Sequence, residues 1–66
     1  MRVIVNGDEV EVPADATLVE LLETLALGST KVAVELNQTI VPRSQHAQRR
    51  LQQGDSVEIV YAIGGG

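Results

Sequence analysis

Arg2-Val-Ile-Val-Asn-Gly-Asp-Glu-Val-Glu-Val12, followed after Pro13 by Thr17-Leu-Val-Glu20, decides how this chain folds. Val3, Ile4 and Val5 favour extended backbone, and Asn6-Gly7 supplies the two left-handed positions that a tight type I′ hairpin turn requires. The second arm alternates acid and valine, so Val10 and Val12 face inward with Val3 and Val5, while Glu9 and Glu11 face water. Pro13 ends the hairpin. Thr17 and Glu20 then have the spacing of a capping box, in which each side chain satisfies a free amide at a helix start. In the helix that follows, Leu18, Leu21, Leu22 and Leu25 form one apolar stripe, with Glu20, Glu23 and Thr24 on the wet side. Gly28 is the expected C-terminal cap.

Beyond the helix, Lys31-Val-Ala-Val-Glu-Leu36 is apolar at nearly every position and reads as the central strand of the sheet. Asn37-Gln38 turns the chain into a short Thr39-Ile-Val41 segment, which Pro42 confines to an edge. Ser44 is the expected cap of a brief helical turn reaching Leu51. Gly54-Asp55 marks another turn, and residues 56–63 form the longest strand candidate. The order is therefore strand, strand, helix, strand, short strand, short helix, strand. That order fits an α+β, ubiquitin-like β-grasp domain over residues 1–63: a mixed sheet with one main helix packed across one face. The expected core is Val3, Val5, Val10, Val12, Leu18, Leu22, Leu25, Val34, Val57 and Ile59. Residues 64–66 are a flexible glycine tail.

Sixty-six residues support one small core. The chain has no cysteine, which removes disulfides, thiolate metal sites and a side-chain thiol nucleophile. Its net charge of −4, with one Tyr and neither Phe nor Trp, disfavours nucleic acid as a partner. Residues 1–33 set Arg2 and Lys31 against Asp8, Glu9, Glu11, Asp15, Glu20 and Glu23, an excess that reads as a solvated acidic face. No signal peptide pattern and no membrane-spanning run is present, so a cytoplasmic location away from membranes is expected. His46, the one histidine, lacks the usual co-ligands of zinc and is assigned a surface or packing role. Gly7, Gly28 and Gly54 are isolated, which excludes a phosphate-binding loop. No metal or bound cofactor is expected, and no enzyme activity of the chain's own.

Chemistry is left to Gly64, Gly65 and Gly66. Without side chains, such a tail can thread a narrow slot in a partner and present a carboxylate at Gly66 there. A carboxylate becomes electrophilic once its oxygen is a good leaving group, and coupling to AMP at the expense of ATP, by a partner enzyme, achieves that. A sulfur nucleophile can then displace AMP and leave a thiocarboxylate, without a cysteine in the carrier. The competing reading is an inert, frayed end.

Over essentially its whole length the chain resembles the ThiS family of sulfur carriers in thiamine biosynthesis. The resemblance lies in Val5-Asn6-Gly7, Thr17-Leu18 with Leu21-Leu22, Ile40-Val41-Pro42-Arg43-Ser44, Gly54-Asp55, Val57-Glu58-Ile59-Val60 and the closing Gly-Gly. It implies a protein cosubstrate whose Gly66 is adenylated by a ThiF-like enzyme using ATP, then converted to a thiocarboxylate that hands sulfur to thiazole synthase. The sulfur would come from a cysteine desulfurase or another persulfide source. Gly65 carries over as the penultimate glycine, and Gly64 extends the arm. The small subunit of molybdopterin synthase shares the fold and the Gly-Gly end, but its last strand typically runs into a Pro-Pro segment that Tyr61-Ala-Ile63 lacks. Carriers for cysteine or tRNA thiolation, and a β-grasp interaction module with an inert tail, are the other readings. For partner contact, Tyr61, Ile63 and Ile40 are the expected apolar anchors on the exposed sheet face, with Arg43 at the rim. The alternative is that these apolar side chains close the sheet edge and Arg43 is a solvated surface arginine.

Overall fold

Asn6 and Gly7 both adopt positive φ, +50° and +88°, and close the hairpin between β1 (Arg2–Val5) and β2 (Asp8–Glu11) with Val5 opposite Asp8. This is the expected turn, seen in a computed structural model that describes residues 1–61. The remaining elements are α1 (Leu18–Thr24), β3 (Val32–Leu36), β4 (Thr39–Val41), a 3-10 turn at Arg43–Gln45, and β5 (Ser56–Tyr61). The strands form one sheet in the order β2-β1-β5-β3-β4. β5 runs parallel to β1, and the other pairings are antiparallel. Two hairpins thus flank a returning last strand, which is the β-grasp arrangement expected from the order of elements.

The central strand is β5, not the segment 31–36, which lies between β5 and β4. Both segments are rich in apolar residues and both pair on two sides, so composition alone does not say which one occupies the middle of the sheet. β5 is held there partly by side chains. The Asn6 carboxamide oxygen accepts from the Ile59 amide at 2.8 Å, and its nitrogen donates to the Ile59 carbonyl at 3.3 Å. On the other flank, Asn37 accepts from the Ser56 amide at 3.0 Å and donates to Asp55 at 3.0 Å. Each hairpin turn therefore contributes an asparagine that bonds the start or middle of the central strand. A glycine at position 6 would relax the positive φ yet lose both bonds to Ile59. Asn6→Gly is accordingly expected to cost about 1–2 kcal/mol, since each bond contributes about 1 kcal/mol net. Urea denaturation measures it, and a stabilised variant would contradict the clamp.

The capping box at the start of α1 is present: the Thr17 hydroxyl accepts from the Glu20 amide, and the Glu20 carboxylate accepts from the Thr17 amide at 3.0 Å. The helix ends earlier than expected. Leu25 is the last half-helical residue, Ala26 takes φ +61°, the Ala26 amide bonds the Glu23 carbonyl at 3.0 Å, and the Leu27 amide bonds the Leu22 carbonyl at 2.7 Å. This Schellman pairing places the left-handed residue at Ala26, so Gly28 is not the cap. Because alanine in that conformation is strained, Ala26→Gly is expected to stabilise the domain by about 1 kcal/mol, read as a higher urea midpoint. Ser44 likewise caps nothing. The helical turn begins after Pro42 and covers only Arg43–Gln45, with irregular turns onward to Arg49.

Val3, Val5, Val12, Leu18, Leu22, Val34, Val57 and Ile59 are buried as expected, in one cluster on the helix side of the sheet. Val10 and Leu25 are only partly buried. Ala16, Leu21, Leu36, Val41 and Leu51 complete the core. Leu51 arrives there because its amide bonds the Ala16 carbonyl at 2.8 Å, tying the irregular segment to the residue before the helix cap. Among the described residues, no helix is long and apolar enough to cross a membrane.

Candidate functional site

The central strand carries the chain toward its glycines. β5 pairs with β3 over five positions, ending with Tyr61 opposite Val32. β1 pairs with β5 only at Ser56 and Val57, so Val60 and Tyr61 at the end of the strand are paired with β3 alone. Ile63, expected as a contact residue, and Gly64, Gly65 and Gly66, expected as the reactive tail, lie outside the described residues.

Alternation along the strands sorts the expected contact residues. Tyr61 has the parity of Val57 and Ile59, whose side chains enter the core, but it sits past the buried cluster and is half exposed. Ile40 is opposite Glu35 and, with Val60 and Ala33, has the parity of the open face. It is 68% exposed. Tyr61 and Ile40 are thus both available to solvent but belong to opposite faces. Arg43, exposed in the 3-10 turn, shares a shallow depression with Lys31, Val32, Ala33, Val60 and Tyr61. The structure therefore brings Arg43 and Tyr61 together at the end of the central strand and leaves Ile40 outside that group.

Lys31, Ala33 and Val60 were not singled out by the sequence. Each becomes relevant through the β3–β5 register, which places the first residues of β3 beside the last of β5. No local motif encodes that pairing. Among the described residues, the open face also carries Arg2 at its far side, where the guanidinium reaches Glu11 at 3.1 Å and Glu9 at 3.7 Å. These pairs are well exposed and contribute little to stability.

His46 packs inside, as one of the two expected roles allowed. It is 4% exposed, and its Nε2 lies 2.9 Å from the Val41 carbonyl. Since a carbonyl only accepts, Nε2 carries the proton in this bond. The His46 carbonyl in turn accepts from the Val19 amide at 3.3 Å, so the residue joins the end of β4 to the first turn of α1. No cluster of three or more histidine or acidic side chains is placed to hold a metal ion among the described residues.

The model of the ThiS family matches residues 2–66. A sulfur carrier protein ThiS from Escherichia coli is 38% identical, and the match covers the whole of both chains. A thiazole synthase from Paramagnetospirillum magneticum is 47% identical over all 66 residues, and another from Magnetococcus marinus 39%. The chain spans about a fifth of the length of these two thiazole synthases. Among solved structures, a thiamine biosynthesis protein (ThiS) from Geobacter metallireducens superposes with a TM-score of 0.84 at 33% identity, covering both chains completely.

Proposed function

The chain belongs to the ThiS family, and on that premise we propose that it is a protein cosubstrate that carries activated sulfur on Gly66 for the formation of the thiazole of thiamine. The observation that carries this reading is the family match, which runs through Gly65 and Gly66 to the last residue. Support for the thiazole branch comes from the relatives named thiazole synthase, in which a segment like this whole chain makes up a fifth of the protein.

In the proposed reaction, a partner adenylating enzyme of the ThiF kind binds ATP. A carboxylate oxygen of Gly66 attacks the α-phosphorus, and pyrophosphate leaves. The acyl adenylate then has AMP as its leaving group. The terminal sulfur of a persulfide, supplied by a cysteine desulfurase or another source, attacks the acyl carbon and expels AMP. A second thiol cleaves the resulting S–S bond, supplying two electrons and becoming a disulfide, and the thiocarboxylate remains on Gly66. Thiazole synthase would accept that sulfur.

The carrier's own part is positional. β5 holds the root of the arm at Tyr61, while Gly64 and Gly65 present no side chain to a narrow slot. ATP and the catalytic groups belong to the partner.

Pyrophosphate exchange tests the first step. With a purified ThiF-like enzyme, exchange of labelled pyrophosphate into ATP should depend on this chain and saturate with it. An enzyme that is active on another carrier of the family but shows no exchange with this chain would refute the proposal.

A further inference from the structure

We propose that Lys31 and Arg43 form a cationic docking point at the root of the arm, received by acidic side chains around the mouth of the activating enzyme's slot. The identity of the partner rests on the sulfur-carrier reading above.

The protein is acidic overall, with a net charge of −4. Arg2 is satisfied by Glu9 and Glu11, whereas Lys31 and Arg43 make no ion pair among the described residues. Glu23 lines a neighbouring cavity together with Arg43 but does not reach ion-pair distance. Both cations are exposed, and both border the depression that ends at Tyr61. Two unneutralised positive groups on an acidic protein, placed where its last strand ends, are complementary to a negative surface.

Reach decides what that surface is. Five residues follow Tyr61, and a fully extended chain advances no more than about 3.6 Å per residue, so Gly66 can stand up to about 18 Å beyond the strand. With the arm extended into a slot, Lys31 and Arg43 stay at the entrance and do not touch the phosphates at the reacting centre. The negative groups they meet are therefore protein carboxylates, with Val60 and Tyr61 supplying exposed apolar surface at the same depression. Rim charges of this kind act chiefly on association rate and its salt dependence.

The test is the double variant Lys31→Gln/Arg43→Gln, with Arg49→Glu, an equal change in net charge, as the control. Arg49 is exposed and absent from the depression. Circular dichroism and urea denaturation establish that each variant is folded. In pyrophosphate exchange, the double variant should raise KM about ten-fold with kcat little changed, and the salt dependence of association should largely disappear. Arg49→Glu should change KM much less. An unchanged KM for the double variant, or an equal effect of Arg49→Glu, would overturn the docking point. Direct binding of the chain to the enzyme, measured without ATP, separates the two proposals. Salt-dependent binding weakened by the double variant, with no adenylation of the unaltered chain, would support the docking point and refute the sulfur-carrier reading.

Discussion

Deleting Gly65 and Gly66 is expected to abolish sulfur loading while leaving the folded domain intact. The loss follows from distance. Removing two residues withdraws the carboxyl by about 7 Å, and a reacting group misplaced by even 1 Å can cost about a hundred-fold. Adenylation should therefore fall at least about a thousand-fold, beyond detection in a pyrophosphate exchange assay. Stability should move by less than about 0.5 kcal/mol, because the core is complete by Ile59 and the β3–β5 pairing by Tyr61. A truncated chain that still accepts sulfur would remove Gly66 from the mechanism. One that loses both loading and fold would mean that the glycines have a structural role. Gly64→Ala, by contrast, should slow loading only where the slot is narrow at that point.

Leu18→Ala should produce the largest loss of stability of the substitutions considered. Leu18 is fully buried at the first turn of α1, in the cluster with Val3, Val34 and Val57. Removing three carbon atoms there leaves a cavity that the surrounding strands cannot fill, at a cost of about 3 kcal/mol. For a domain of 66 residues, whose total stability is of the order of 3–10 kcal/mol, that is a large fraction. Urea denaturation should show a greatly reduced or absent folded baseline at room temperature. Leu25→Ala, at a position only partly buried beyond the helix end, should cost about 1 kcal/mol. Equal costs at the two positions would contradict the burial pattern.

The elements with local signatures were legible before the structure. Asn6-Gly7 announces its turn, Thr17 and Glu20 announce the helix start, and the spacing of Leu18, Leu21 and Leu22 gives its buried stripe. Features set by distant partners were not. The parallel pairing of β1 with β5 places the last strand in the middle, and nothing in the residues of 31–36 distinguishes a second-row strand from a central one. The same non-local pairing brings Lys31 beside Tyr61. Ala26 ends the helix because Leu27 returns to the core and forces the left-handed turn one residue after the cap, a packing demand that outweighs the preference for glycine. Leu36, Val41 and Leu51 enter the core through the sheet register and the Ala16–Leu51 hydrogen bond, neither of which has a sequence period. At the candidate site the reading of the glycines rests on composition and lies outside the described residues, while the grouping of Lys31 and Arg43 beside Tyr61 needed the fold.

Intact-mass analysis distinguishes a sulfur-loaded chain from an unloaded one. The chain is incubated with the adenylating enzyme, ATP, a persulfide source and a reducing thiol, and its mass is then compared with that of the untreated chain. A gain equal to sulfur replacing one oxygen is expected, localised by fragmentation to Gly66 and absent when ATP is omitted. An unchanged mass with an enzyme that loads another family member, or sulfur located on any residue other than Gly66, would contradict sulfur carriage on Gly66.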